Sequence, residues 1–168
     1  GGRTKISFSC TPLFGIAHLP AILKDFMLAC PESGDLKFVF NMPDQILEGL
    51  SNRAIDLAVM ELCEFFDLSE FATFPLPGDE VLFVSTPERG PQSPETTVPS
   101  LLATPFFVRR EGCCSRLLLE KSLRAVGHDL REFRKVIVHD DLHLIVQAVL
   151  DGEGMSFLSR DIVGEHLD

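Results

Sequence analysis

Leu36-Lys37-Phe38-Val39-Phe40, then Pro43-Asp44-Gln45-Ile46-Leu47-Glu48-Gly49-Leu50, then Ile55-Asp56-Leu57-Ala58-Val59-Met60 follow one another with only short breaks between them. The first stretch reads as a strand. The second opens on a proline suited to a first helical turn and sets Ile46, Leu47 and Leu50 on one face. In the third, Leu57-Ala58-Val59-Met60 is apolar on both faces, as a strand buried in a parallel sheet requires. Strand, amphipathic helix and strand in succession predict a βαβ unit, and with it an α/β fold built on a mainly parallel sheet.

The pattern extends in both directions. Residues 5–9 alternate as a strand, Thr11-Pro12-Leu13-Phe14-Gly15 reads as a turn, and Leu19, Ile22, Leu23, Phe26 and Met27 recur at helical spacing until Pro31. Downstream, residues 81–84 form a strand that runs into the breaker-rich Thr86-Pro87-Glu88-Arg89-Gly90-Pro91-Gln92-Ser93-Pro94, a crossing point between lobes. Alternation then restarts: strand 106–109, helix 115–126, strand 135–138, helix 142–150 and strand 155–158. The last is reached through Asp151-Gly152-Glu153-Gly154. Two successive α/β lobes are expected.

The 168 residues suffice for such a pair of small lobes. Fifteen Lys and Arg against 25 Asp and Glu give a net charge of −10, with an isoelectric point near 4.9. Phosphate backbones and anionic lipids both demand a cationic face, so this chain by itself is expected to hold neither nucleic acid nor membrane. The longest nearly apolar run, residues 144–150, is broken by Gln147 and is too short for a bilayer, and no signal peptide is visible. Five scattered cysteines, Cys10, Cys30, Cys63, Cys113 and Cys114, suit reduced thiols in a cytoplasm.

No GxxxxGK[ST], GxGxxG, GxSxG or HExxH motif occurs, which removes the usual signatures of nucleotide cofactors and hydrolases; no cofactor and no enzymatic activity are expected. His139 and His143 stand four apart, a spacing that metal ligands use on a helix. Asp140-Asp141 reads better as the cap of the following helix, so no metal is expected. Cys113-Cys114 is a vicinal pair without a second pair to complete a zinc set.

Three strand-to-helix loops carry small polar side chains: Ser9-Cys10-Thr11, then Glu111-Gly112-Cys113-Cys114-Ser115-Arg116, then His139-Asp140-Asp141. In open α/β sheets ligands collect at the carboxyl ends of strands, where helix N-termini favour anions. Thr11, Ser115 and Asp141 are also ordinary helix caps, which is the simpler reading of each loop alone.

Four stretches, in register over nearly the whole chain, carry a resemblance to the effector-binding domain of LysR-type transcriptional regulators. Leu19-Pro20-Ala21-Ile22-Leu23-Lys24-Asp25-Phe26 resembles the family's "lPplLaaFrqryP". Gln45-Ile46-Leu47-Glu48-Gly49-Leu50 with Ala54-Ile55-Asp56-Leu57-Ala58-Val59 resembles "eileaLldGelDlai". Phe106-Phe107-Val108-Arg109-Arg110-Glu111-Gly112-Cys113-Cys114-Ser115-Arg116 is similar to "pfilrEpGSGTR". Ala148-Val149-Leu150-Asp151-Gly152-Glu153-Gly154-Met155-Ser156-Phe157-Leu158-Ser159-Arg160 is similar to "avaaGlGiallPr".

The resemblance implies a type-2 periplasmic-binding-protein fold of two Rossmann-like lobes with a cleft between them. Residues 1–85 plus 158–168 would form the first lobe and residues 86–157 the second. It implies a sensor that performs no chemistry and binds a small, anionic metabolite through Ser9, Cys10, Thr11, Gly112, Cys113, Cys114, Ser115, Arg116, Asp140 and Asp141, with Arg110 and Arg116 as the nearest cations. It also implies a homodimer or tetramer, served in part by the apolar stripe of the first helix. DNA would be contacted only through an N-terminal winged helix-turn-helix domain absent from this chain, and the chain is expected to stop before the first lobe is complete. Cys113-Cys114-Ser115 stands where many members have Ser-Gly-Thr, and Cys114 falls where peroxide-sensing members carry a reactive cysteine. A thiol redox sensor using Cys114 is therefore one alternative. A solute-binding protein of the same fold is a second, and a thiol enzyme pairing Cys113 or Cys114 with His139 is a third.

Overall fold

Strand pairing divides the chain into two α/β units, Gly1–Leu76 and Pro77–Asp168. The computed structural model describes residues 5–89 and 95–167. Gly90-Pro91-Gln92-Ser93-Pro94, part of the expected crossing stretch, lie outside the described residues.

In the first unit, β1 (Lys5–Cys10), α1 (Pro12–Ala29), β2 (Asp35–Phe40), α2 (Pro43–Ser51) and β3 (Leu57–Val59) follow in order. They form a three-stranded parallel sheet ordered β2-β1-β3. The central strand β1 therefore delivers its carboxyl end, Ser9-Cys10-Thr11, to the middle of the sheet edge. Thr11 is the N-cap of α1, its hydroxyl accepting from the Phe14 N–H at 3.4 Å. Pro12 then occupies a position where a missing N–H costs nothing. Residues 11–15, expected as a turn, are thus the cap and first turn of an 18-residue helix. Asp56 joins β1 from its side chain and backbone: the Ser7 N–H donates to its carboxylate at 2.8 Å, and its own N–H donates to Ser7 O at 2.9 Å.

Two expectations shift here. β3 is an edge strand of three residues, with Leu57 57% exposed, so its continuous apolarity does not mark burial on both faces. Among the described residues, α1 is long and apolar enough to cross a membrane by length and composition, a longer apolar helix than residues 144–150 suggested. Its Lys24-Asp25 pair and its position as the crossover between two paired parallel strands make it the helix of a βαβ unit.

The second unit contains β4 (Val81–Val84), α3 (Val98–Ala103), β5 (Phe106–Val108), α4 (Cys114–Ala125), β6 (Val136–Val138), α5 (Leu142–Leu150), β7 (Met155–Ser159) and α6 (Arg160–Val163). Its sheet is ordered β4-β7-β5-β6. β5 runs parallel to both neighbours, and β4 runs antiparallel to β7. Leu101, Phe106, Val108, Leu119, Leu123, Leu130, Phe133 and Met155 form one buried cluster, so α4 packs on the sheet through a stripe at helical spacing. The turn into β7 needs both of its glycines: Gly152 has φ +73, and a Cβ on Gly154 would lie 2.4 Å from the Pro105 carbonyl oxygen.

The observed partition differs from the expected one. β4 pairs along its whole length with β7, from Val81 opposite Ser159 to Val84 opposite Ser156. The buried Ser159 hydroxyl bonds the Asp79 carboxylate, the Arg160 N–H donates to Glu80 O at 2.7 Å, and the Arg160 guanidinium meets the Glu80 carboxylate at 2.7 Å. Residues 77–85 and 158–167 thereby clip to each other and belong to the second sheet rather than to the first lobe.

Candidate functional site

Each unit presents polar side chains at the carboxyl end of its central strands, and the two mouths are built differently. In the first, Ser9, Cys10 and Thr11 are all buried. The Ser9 hydroxyl donates to Val39 O at 2.9 Å and accepts from Asn41 Nδ2 at 2.9 Å, tying β1 to the end of β2. The Thr11 hydroxyl donates to the Glu61 carboxylate, 2.7 Å from Oε1 and 2.8 Å from Oε2. A carboxylate of the chain itself thus stands at the N-terminus of α1, where the helix dipole and unpaired N–H groups favour negative charge. Burial, followed by the Glu61 charge, pushes the Cys10 thiol from its ordinary 9 up to about 11. Cys10 is therefore a protonated, inert thiol at neutral pH.

In the second mouth β5 ends at Val108, and Arg109-Arg110-Glu111-Gly112 turns the chain into α4. Gly112 adopts φ 87, a left-handed conformation that glycine takes without strain. The N-cap is Cys113, in place of the expected Ser115; it makes no side-chain capping bond, and the first turn of α4 holds no acidic residue. The helix starts this early because the Gly112 turn already brings Cys113 into extended backbone. Cys113 and Cys114 are both buried, and none of the five cysteines is in a disulfide.

Arg116 is committed within its own unit. Its Nε lies 3.0 Å from Glu120, its Nη2 3.7 Å from Glu111, and its Nη1 donates to Arg109 O at 3.1 Å. It fastens α4 to the end of β5. Arg110 pairs through Nε with Asp140 at 3.0 Å. The third loop joins the same edge, since the His139 N–H donates to Val108 O at 2.8 Å. Asp141 is the cap of α5, accepting from the His143 N–H at 2.8 Å, while its own N–H donates to His139 Nδ1 at 3.2 Å. His139 and His143 thus serve the helix start. Among the described residues no group of three or more His, Cys, Asp or Glu side chains is placed to hold a metal ion.

The structure therefore brings Gly112, Cys113, Cys114, Ser115, Arg116, Asp140 and Asp141 to one edge of the second unit, and Ser9, Cys10 and Thr11 to one edge of the first. It adds two residues that the sequence reading missed. Glu61 reaches Thr11 only because β3 lies beside β1, and no local pattern announces that. Arg109 was visible as the residue that ends the apolar run of β5. It is 7% exposed, its Nη2 lies 3.9 Å from Asp140, and its Nε has no hydrogen-bond partner among the described residues.

The LysR substrate binding domain family matches residues 1–168. Among curated proteins, the HTH-type transcriptional regulator CbbR of Cereibacter sphaeroides is 32% identical over 149 residues, covering 88% of this chain and 46% of CbbR. The chain thus spans about half the length of that relative. Of solved structures, a variant OxyR2 regulatory domain from Vibrio vulnificus aligns with a TM-score of 0.72 at 18% identity, covering 98% of this chain and 76% of that one. The effector binding domain of QuiR in complex with shikimate aligns with a TM-score of 0.72 at 16% identity, covering 98% and 78%. These likenesses give the fold, the two-lobed α/β architecture of type-2 periplasmic-binding proteins.

Proposed function

The chain belongs to the LysR substrate-binding-domain family, and from that premise we propose that it binds a small anionic metabolite as the effector-sensing part of a LysR-type transcriptional regulator. The observation that carries this reading is where buried polarity collects. Among the described residues five polar or charged side chains are buried: Ser9, Thr11, Arg109, Ser156 and Ser159. Ser156 donates to Phe107 O at 2.7 Å, and Ser159 bonds Asp79, so both are internal to the second sheet. The other three stand at the strand ends, where open α/β sheets take ligands.

On this reading the effector-contact residues are those the family resemblance implies, Ser9-Cys10-Thr11 and residues 112–116 with Asp140 and Asp141, and binding shifts a conformational equilibrium without any chemistry. In the whole cytoplasmic protein that shift would alter DNA binding by an N-terminal helix-turn-helix domain. QuiR, solved with shikimate, supports a small effector for this chain as well. α1 exposes Ile22, Met27 and Leu28, a face suited to the homodimer that the family resemblance implies. The buried Cys113 and Cys114 support pocket lining over redox sensing, because a reactive thiol needs access. Thermal denaturation with a panel of small metabolites tests the reading. One acidic member raises the midpoint saturably and Thr11→Ala reduces that rise; a panel that leaves the midpoint unmoved overturns the proposal.

A further inference from the structure

We propose that Arg109 is the residue that anchors the acidic group of the effector, so that the ligand presents a carboxylate or phosphate to the second unit at the end of β5. This rests on the effector reading above and names the chemistry it requires. An arginine cannot shed its charge inside a protein, and a buried guanidinium is ordinarily paired and fully hydrogen-bonded. Arg109 is 7% exposed and only partly paired. Its Nε has no partner, and its Nη2 stands 3.9 Å from an Asp140 oxygen that Arg110 already holds at 3.0 Å. Nε and Nη2 form the side-on edge of the guanidinium, the edge whose two parallel N–H groups chelate an oxyanion.

The surroundings favour the same group. Arg109 O is gripped by Arg116 at 3.1 Å, which fixes the backbone from which the side chain springs. The first turn of α4 holds no acidic residue and Cys113 makes no side-chain capping bond, so the chain places no carboxylate in that turn. Arg110 and Arg116 are each satisfied by a carboxylate at 3.0 Å. Arg109 alone of these three keeps a buried guanidinium N–H without a partner among the described residues.

The test uses the 168-residue chain with inorganic phosphate and acetate as probes, ionic strength being held constant with chloride. Either oxyanion raises the thermal midpoint saturably in the native chain, Arg109→Gln weakens that response by about 10- to 100-fold, and Arg110→Gln keeps it. Arg109→Met, which removes a buried charge whose pair with Asp140 is 3.9 Å long, leaves the anion-free midpoint unchanged or higher. If these variants do not fold, the Arg109 Nε–H resonance of the native chain gives the answer, shifting saturably with the oxyanion. No response to either oxyanion, an undiminished response in Arg109→Gln, or a stationary Nε–H resonance overturns the assignment. The effector reading fails separately: a metabolite that stabilises native and Arg109→Gln chains equally leaves the sensor standing and removes only the anchor.

Discussion

The β1-to-α1 turn and the β5-to-α4 turn are the same device used with opposite charge. Both end a central parallel strand and start a long helix, and both bury polar side chains. At the first, the chain supplies its own anion: Glu61 takes the Thr11 hydroxyl at 2.7 Å, and Ser9 is tied between Val39 and Asn41. At the second, Cys113 offers no capping bond and the buried Arg109 keeps an unpartnered Nε. One mouth is satisfied internally and the other holds a buried arginine with a long 3.9 Å ion pair and an unsatisfied N–H. A helix N-terminus alone therefore does not locate an anion site; what matters is whether the fold has already filled it.

The comparison stands on two intact sheets, so the harshest way to break it is to remove the floor of the second mouth. Phe106 is fully buried and packs against Phe133 with ring centroids 4.7 Å apart. Phe106→Ala should cost about 3–5 kcal/mol, read as a lower denaturation midpoint, together with loss of any oxyanion response. A smaller loss is expected from Arg116→Gln, which cuts the 3.0 Å pair with Glu120 and the bond to Arg109 O. Roughly 1–3 kcal/mol follows from unmaking charged hydrogen bonds in a mostly buried setting, and a weaker oxyanion response should accompany it if Arg116 positions Arg109. Asp141→Ala removes the cap of α5 and should cost about 1 kcal/mol while leaving the Arg109 edge unaffected.

The gentlest probe lies in the first mouth. The Cys10 thiol is held up to about 11 against an ordinary 9, by burial first and Glu61 second. A raised folded-state value means the folded chain keeps a proton that the unfolded chain releases. The corresponding stability is whole below about pH 9 and is lost as pH climbs towards 11. Glu61→Gln should lower the Cys10 titration but leave it above the ordinary value, as ultraviolet thiolate absorbance would report. A titration unmoved by Glu61→Gln would break the internal-anion account of this mouth.

The fold was legible because alternation of strand and helix is written in apolar spacing. Residues 81–84 and 142–150 match observed elements at both ends, and the four family-like stretches stand in register. What escaped was set by neighbours distant in sequence. The apolar run at residues 57–60 looks buried in isolation, yet β3 has a partner on one side only. Residues 77–85 join the second sheet because β7 pairs with β4 some 75 residues later, as the Val81–Ser159 register shows. Within the site, Asp141 announced itself as a cap, since capping is local. Arg116 looked like the available cation, but Glu120 one turn away already engages it. Glu61 and Arg109 could not be ranked without knowing which carboxylates reach them.

Isothermal titration of the 168-residue chain with small acidic metabolites tests the central claim most directly, run in parallel on Arg109→Gln and Glu61→Gln. The account predicts that one acidic metabolite binds saturably to the native chain, at least about tenfold more weakly to Arg109→Gln, and with a smaller change to Glu61→Gln. Absence of binding across the panel, or a loss that follows Glu61 and not Arg109, would contradict it.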